Sequence, residues 1–399
     1  MIAGLRNRAL TAYLFVSGAA FASAWMQRMA VGWFVWDLTH SGFWLGVLAV
    51  CDLGPSILFG PIGGILADRI SPHRLIVICQ IVTLAAVVAL GIATAFAPSL
   101  ALCLGLSLIA ASAIAGQDAA RSILVQTIVE PGEVPGAVAK LSVAINVARF
   151  AGPALGGIIA TTAGLVWVFF AAAVSGFPLI LFALRARDVP VAASESANWL
   201  KALAEALTEV WRSPLLRPIL ASFVVVSFLA RAAYELLPSV ADGIFGRGVA
   251  GLSAMTAAVG IGAVIAGLVL TRPSDTARTA RFSFASNVLG GLAVIALATI
   301  PVFEAALVAA AIVGFCLSGG AITAQVVMQV EAPPAMRARV VSLWAVSIRA
   351  MPALGALMLG SAADRFGIRE SLIAGGASAL LFAVLIWRRG IVRQRRLSR

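Results

Sequence analysis

Eight ionisable side chains stand inside long apolar stretches of the chain: Arg28, Asp52, Asp118, Arg121, Arg149, Arg231, Glu235 and Arg349. A charge in hydrocarbon costs at least ~2.5–3.5 kcal/mol on insertion scales, so such residues pair with one another or line water. Arg28 falls about eight residues from the end of its stretch, or ~12 Å along a helix. Asp52 falls about ten residues into the next stretch, or ~15 Å, so two antiparallel helices would let the two meet. Arg231 and Glu235 are spaced i, i+4, one helical turn apart. Each pair has two readings: a structural ion pair, or a carboxylate (Asp52 or Glu235) that gains and loses a proton. Burial and a neighbouring arginine act on a carboxyl group in opposite senses, and the residue types leave that balance open. Arg149 and Arg349 fall near mid-depth of their stretches and add two cations. Together the charges point to a cationic cavity suited to anionic or acidic amphiphilic cargo.

Bond-breaking chemistry finds no foothold. There is no phosphate-binding GxxxxGK[ST] loop, so ATP is not the energy source. The two histidines, His40 and His73, read as loop residues, which leaves no interior partner for a nucleophile. Cys51, Cys79, Cys103 and Cys316 fall in apolar runs without a CxxC pair and read as small buried side chains. No metal, no cofactor and no enzyme activity are expected.

The elements that must hold these charges are set by composition. The chain has 399 residues, 61% apolar and 12% charged, with a mean hydropathy of +1.02. A soluble domain carries about 25% charged residues, so a water-soluble globule and a disordered chain are both excluded. Apolar runs of about 20 residues, rather than alternating ones, exclude a transmembrane β-barrel. The fold class is an all-α membrane protein with twelve spans, near 10–36, 42–66, 74–96, 99–126, 138–162, 165–185, 214–238, 250–271, 282–300, 303–328, 338–361 and 369–387. Arg6 and Arg8 precede the first span without a cleavage site, so that span is expected to be retained.

An even number of spans puts both termini on one side. Of the loop arginines and lysines, Arg247, Arg365 and Arg369 fall on the far side, and the rest share the side of the termini. The positive-inside rule makes that side cytoplasmic. The net charge of +12 is thus explained by orientation and not by nucleic acid. The longest loop, 188–213, separates an N-terminal six-helix bundle (1–187) from a C-terminal one (214–399) with a basic tail. Within it Trp199, Leu200, Leu203, Leu207, Val210 and Trp211 recur at helical spacing, which predicts an amphipathic helix on the cytoplasmic interface. The halves also repeat: Ser142 and Arg149 recur as Ser342 and Arg349, and Pro153, Ala154, Leu155 and Gly156 recur as Pro352, Ala353, Leu354 and Gly355. Parallel repeats are a transporter signature.

Three motifs carry mechanism. At the end of span 2 stand Gly63, Gly64, Asp68, Arg69 and Arg74, where Asp68 could cap a helix and the arginines could reach Asp118 on span 4. In span 5 stand Gly152, Pro153, Gly156 and Gly157, which favour a bend and close helix approach. Gly360, Asp364, Arg365 and Gly367 copy the first motif on the opposite face, as an outer gate or a solvated turn.

Gly64, Asp68, Arg69 and Arg74 resemble the loop 2–3 signature of the major facilitator superfamily, with Ser71, Pro72 and His73 departing from it. Asp37 to Ser41 and Asn146 to Gly157 are similar to the exporter branch that includes the enterobactin exporter and macrolide efflux proteins. The span 5 motif also resembles that of drug/proton antiporters. The resemblance implies two pseudo-symmetric bundles and alternating access, with spans 1, 4, 7 and 10 lining a cavity. Carried onto this chain, it implies lining residues Trp25, Met26, Gln27, Phe223, Ser227, Tyr234, Ser318, Thr323 and Gln325, beside Arg28, Arg149, Arg231 and Arg349. It also implies that Arg121 supports proton movement, alongside the interior carboxylates Asp52 and Glu235 read above as proton-carrying candidates. The expected activity is export of a small drug- or siderophore-like molecule by proton antiport. A lipid or lysolipid translocator, and a facilitator or symporter importing a polar solute, stay open. The expected partners are cargo, protons and bilayer, for a monomer in a bacterial inner membrane.

Overall fold

Long apolar stretches have one way to satisfy every backbone N–H and C=O away from water, and that is to coil into helices. The computed structural model describes residues 2–57, 59, 70–185, 199–270, 275–334 and 336–397, and all its regular secondary structure there is helical. The first five spans give α1 (Ile2–Thr39), α2 (Gly42–Leu53), α3 (Pro72–Phe96), α4 (Leu100–Ile128) and α5 (Val134–Thr162). Span 6 is split by Pro178 into α6 (Leu165–Gly176) and α7 (Pro178–Arg185). The linker holds α8 (Trp199–Arg212). Span 7 is broken: α9 (Leu216–Leu229) is followed by a 3-10 turn (Arg231–Tyr234), α10 (Leu237–Ser239) and a π turn (Val240–Ile244). Then come α11 (Gly248–Val269), α12 (Thr276–Thr299), α13 (Phe303–Glu331), α14 (Arg337–Phe366) and α15 (Ile368–Leu397).

Among the described residues, 11 helices are long and apolar enough to cross a membrane, and Gly42–Ile57 is a shorter apolar helix. Most of the remainder of span 2, including Gly63, Gly64, Asp68 and Arg69, lies outside the described residues. Helix ends follow local chemistry. Ser99, Asp275 and Ser213 each accept a backbone N–H three residues on, from Leu102, Arg278 and Leu216. Gly164 and Gly367, with φ of 102° and 98°, turn the chain from α5 to α6 and from α14 to α15, a backbone region closed to most side chains.

Two compact units result. Unit 1 comprises Met1–Leu38, Cys51–Ser196 and Leu252–Ala257, and unit 2 comprises Thr39–Val50, Ala197–Gly251 and Ala258–Arg399. In unit 1, α3 packs along α4, α6 and α7. In unit 2, α12 packs along α13 and α15, so spans 3, 4 and 6 and spans 9, 10 and 12 repeat one neighbour pattern. The division does not follow the bundle boundary at every point: the start of span 2 clusters with unit 2, and the start of span 8 with unit 1.

One expectation is corrected. His73 is not a loop residue; it stands in the first turn of α3 and is buried. In the linker, Ala206 and Val210 face into the core of unit 2, while Leu207 and Trp211 are exposed. A Glu205–Arg339 ion pair joins α8 to α14, and the Arg217 guanidinium lies 4.6 Å from the Trp211 ring centroid. The helix expected in the linker is present, and its apolar residues divide between the core of unit 2 and an exposed face.

Candidate functional site

In unit 1 the chemistry gathers where α1 crosses α5. Gly152 and Gly156, one turn apart, let the two helices close: a Cβ at Gly152 would stand 2.6 Å from the Ala22 carbonyl oxygen and 2.9 Å from Trp25 Cβ. One at Gly156 would stand 2.8 Å from Met29 and 2.9 Å from Met26. This crossing brings Arg149, one turn before Pro153, over the Trp25 ring at 5.1 Å, and Arg28 lies over the same ring at 5.8 Å. A tryptophan face attracts cations through its quadrupole, so one indole holds two guanidinium groups. Asp52 of α2 stands 3.8 Å from Arg28, and both side chains are largely sheltered, at 17% and 23% exposure. A carboxylate thus stands beside a pair of cations. Met26 and Gln27 are buried, and Gln27 Oε1 has no hydrogen-bond partner among the described residues. A buried acceptor left without a partner is costly and calls for a donor, from water or cargo.

Gly157 faces elsewhere. It lies against Ser253, whose Oγ donates to the Pro153 carbonyl oxygen at 2.9 Å. The span 5 motif therefore seats α1 with Gly152 and Gly156, and the start of α11 with Gly157.

Arg121 is placed apart from this cluster, in the packed interior of unit 1 and only 5% exposed. Its Nη2 donates to Gln80 Oε1 at 3.2 Å, and its guanidinium lies 4.6 Å from the Phe21 ring centroid. Gln117 Nε2 donates to the same Gln80 oxygen at 3.3 Å, and Tyr13 Oη donates to the Arg121 carbonyl at 2.9 Å. Arg121 Nε and Gln117 Oε1 are buried without hydrogen-bond partners among the described residues. The sequence reading misses Gln80 and Tyr13; a glutamine in an apolar run is the signal that could have found the first. Asp118 is half-buried on α4 and Arg74 exposed on α3; their expected companions Gly64, Asp68 and Arg69 lie outside the described residues.

In unit 2 the chemistry gathers at the break in span 7. The i, i+4 helical geometry expected of Arg231 and Glu235 is not found, because Arg231 opens a 3-10 turn. Arg231 Nη2 donates to the Leu317 carbonyl oxygen of α13 at 2.5 Å. Tyr234, Glu235 and Arg349 are half-buried. Phe223 stacks on Trp344 of α14 at 6.0 Å, and the Trp344 Nε1 is buried with no acceptor among the described residues. Trp344 is another residue the sequence reading misses, although it lies within the repeated Ser342–Arg349 motif. Ser227 and Thr323 are buried; Thr323 Oγ1 is spent on the Gly319 carbonyl at 2.6 Å, while Ser318 and Gln325 are half-buried. Asn287 Nδ2 donates to Ser222 Oγ at 2.8 Å, a buried pair joining α12 to α9.

The arrangement suits recognition of charge by cations backed with aromatic faces. No group of three or more His, Cys, Asp or Glu able to hold a metal occurs among the described residues.

The chain is similar to known proteins over most of its length. A family model described as "Transmembrane secretion effector" matches residues 1–396. The enterobactin exporter EntS of Shigella flexneri is 25% identical over 366 residues, covering 88% of this chain and 83% of the exporter. EntS of Escherichia coli O157:H7 is 25% identical over 367 residues, covering 88% of this chain and 84% of the exporter. Among solved structures, the nucleoside transporter NupG superposes with a TM-score of 0.73 at 15% identity, covering 95% of this chain and 98% of that one. A bacterial homologue of the human lysosomal transporter Spinster, inward-facing and unoccupied, superposes at 0.72 with 18% identity, covering 97% and 98%. The fold is that of these transporters.

Proposed function

Because the chain belongs to the transmembrane secretion effector family of the major facilitator superfamily, we propose that this membrane transporter exports a small anionic or acidic amphiphilic molecule by alternating access, in exchange for protons. The observation that carries the cargo class is the pair of guanidinium groups, Arg28 and Arg149, against the one Trp25 ring, with the Asp52 carboxylate beside Arg28. The likeness to enterobactin exporters supports the outward direction. In this reading Arg149 binds the anion in unit 1, where Trp25 and Met26 supply adaptable surface. Asp52 and Glu235 carry the proton. Asp52 does so by trading its Arg28 contact for a proton as cargo arrives. Arg121 holds α4 against α3 and lends its field to that exchange. Both termini face the cytoplasm of a bacterial inner membrane, an orientation supported by the distribution of loop arginines.

Purified protein in proteoliposomes under an imposed pH gradient tests this. Acidic siderophores, macrolides, dyes and lysolipids are supplied in turn, and flux is scored with the gradient in each direction. Gradient-driven flux of the acidic compounds, abolished by Asp52→Asn, is expected. Downhill flux indifferent to pH would refute the coupling, and selective movement of lysolipids would refute the cargo class.

A further inference from the structure

The second glycine–aspartate motif ends α14, and its carboxylate is fully engaged. Asp364 Oδ2 accepts from Ser41 Oγ at 2.5 Å and from Phe43 N at 3.1 Å, and Oδ1 accepts from Gly42 N at 2.6 Å. Gly42 and Phe43 open α2, so their N–H groups are among the donors that a helix leaves without intrahelical partners. A carboxylate there serves as an N-cap supplied from another helix and faces the positive end of the α2 dipole.

Below the cap the two helices meet main chain to main chain. A Cβ at Gly42 would stand 2.9 Å from the Gly360 carbonyl oxygen. One at Gly46 would stand 2.5 Å from Leu357 Cα and 2.7 Å from the Ala356 carbonyl oxygen. Such smooth surfaces pack closely yet interlock few side chains, so the polar specificity of the contact is concentrated in one carboxylate. Thr39–Val50 accordingly clusters with unit 2, whereas the chain from Cys51 onward clusters with unit 1, where Asp52 meets Arg28. The helix is divided between the two units, and the carboxylate secures the part that belongs to unit 2.

We propose that Asp364 is a releasable clasp. It holds the first turns of α2 on α14 in this conformation and lets go in the opposite conformation of the transport cycle. Release is feasible because Asp364 is exposed, so water replaces its hydrogen bonds as they break. Arg365, the next residue, is exposed as well and serves as a control charge. The clasp rests on the transporter reading, since a chain with one conformation has nothing to release.

Spin labels at Val50 and Phe366, in a chain whose four cysteines are replaced by alanine, report the separation of α2 from the end of α14 in proteoliposomes. Asp364→Asn keeps the shape and removes the charge, Ser41→Ala removes one donor, and Arg365→Gln alters charge outside the clasp. The short separation should dominate in the parent chain. Asp364→Asn should raise the ratio of long to short separations about tenfold, as expected for loss of a cap and dipole contact. Ser41→Ala should raise it less, and Arg365→Gln should leave it unchanged. A distribution for Asp364→Asn that matches the parent overturns the clasp. If Asp364→Asn is not monodisperse, Ser41→Ala carries the test, and an unchanged distribution in that variant overturns the clasp. Flux of acidic dye in the same vesicles is scored separately. Its absence in the parent chain tells against the transporter reading, and an unshifted distance tells against the clasp alone.

Discussion

Replacing Arg149 by glutamine isolates the charge at the α1–α5 crossing. Glutamine keeps much of the length and the polarity but loses the cation, and Arg28 remains 3.8 Å from Asp52. Two quantities change. Within the protein, a cation–π contact at 5.1 Å from the Trp25 centroid is lost, worth about 0.5–2 kcal/mol depending on how dry the site is. Towards cargo, a hydrogen bond to a charged group is lost, worth about 1.5–3 kcal/mol. The second quantity sets affinity, and each 1.4 kcal/mol is about tenfold, so an anionic cargo should bind roughly one to two orders of magnitude more weakly. The assay compares a carboxylate-bearing ligand with its methyl ester by scintillation proximity on detergent-solubilised protein. The carboxylate should lose affinity and the ester should change little. If both weaken equally, Arg149 acts through packing and not through charge. If neither weakens, cargo does not meet this cation, and the reasoning from the shared tryptophan is wrong.

Other outcomes follow from the packing. Gly157→Ala drives a methyl group into Ser253, and overpacking of this kind costs about 1–3 kcal/mol; thermal unfolding in detergent should show a lower midpoint, partly restored in Gly157→Ala/Ser253→Gly, which removes both clashing side-chain atoms. Gln80→Leu strips the buried Arg121 of a side-chain acceptor and should destabilise more than Arg121→Met, since an uncompensated buried cation is worse than none; the order of the two melting points checks this. Glu205→Gln removes an ion pair whose members are 39% and 43% exposed, so it should shift stability by less than about 1 kcal/mol, an effect that fades with added salt.

The spans are legible in the sequence because their signal is redundant: each needs about 20 apolar residues, and a few exceptions do not hide it. The Arg28–Asp52 proximity is legible because depth along two consecutive helices is simple arithmetic. The break at Arg231 is not, because an i, i+4 spacing presumes a regular helix, and which helix is irregular is decided by tertiary contacts such as Arg231 with Leu317. The division of α8 into a buried and an exposed apolar face is hidden for a similar reason: periodicity identifies a stripe but not the number of surroundings that share it. Asp364 is recognisable as a motif, yet its partners lie more than 300 residues earlier in the chain. Nothing in a single sequence pairs those positions. Trp344 escapes notice because the first repeat carries Ala144 at the matching place, and comparison of the halves highlights only what they share.

The glycine seam between Gly42, Gly46 and Gly360 has a consequence for energy conservation. Where main chain meets main chain at less than 3 Å to a virtual methyl, there is no room for a file of water molecules. If transport is coupled to protons as proposed above, a leak would waste the gradient, and a seam of this kind resists leakage by size alone, whatever the acidity or salt of the surroundings. Enlarging any of these three glycines would prop the seam open and should be felt first as a loss of membrane potential in the host cell, before any failure to move cargo.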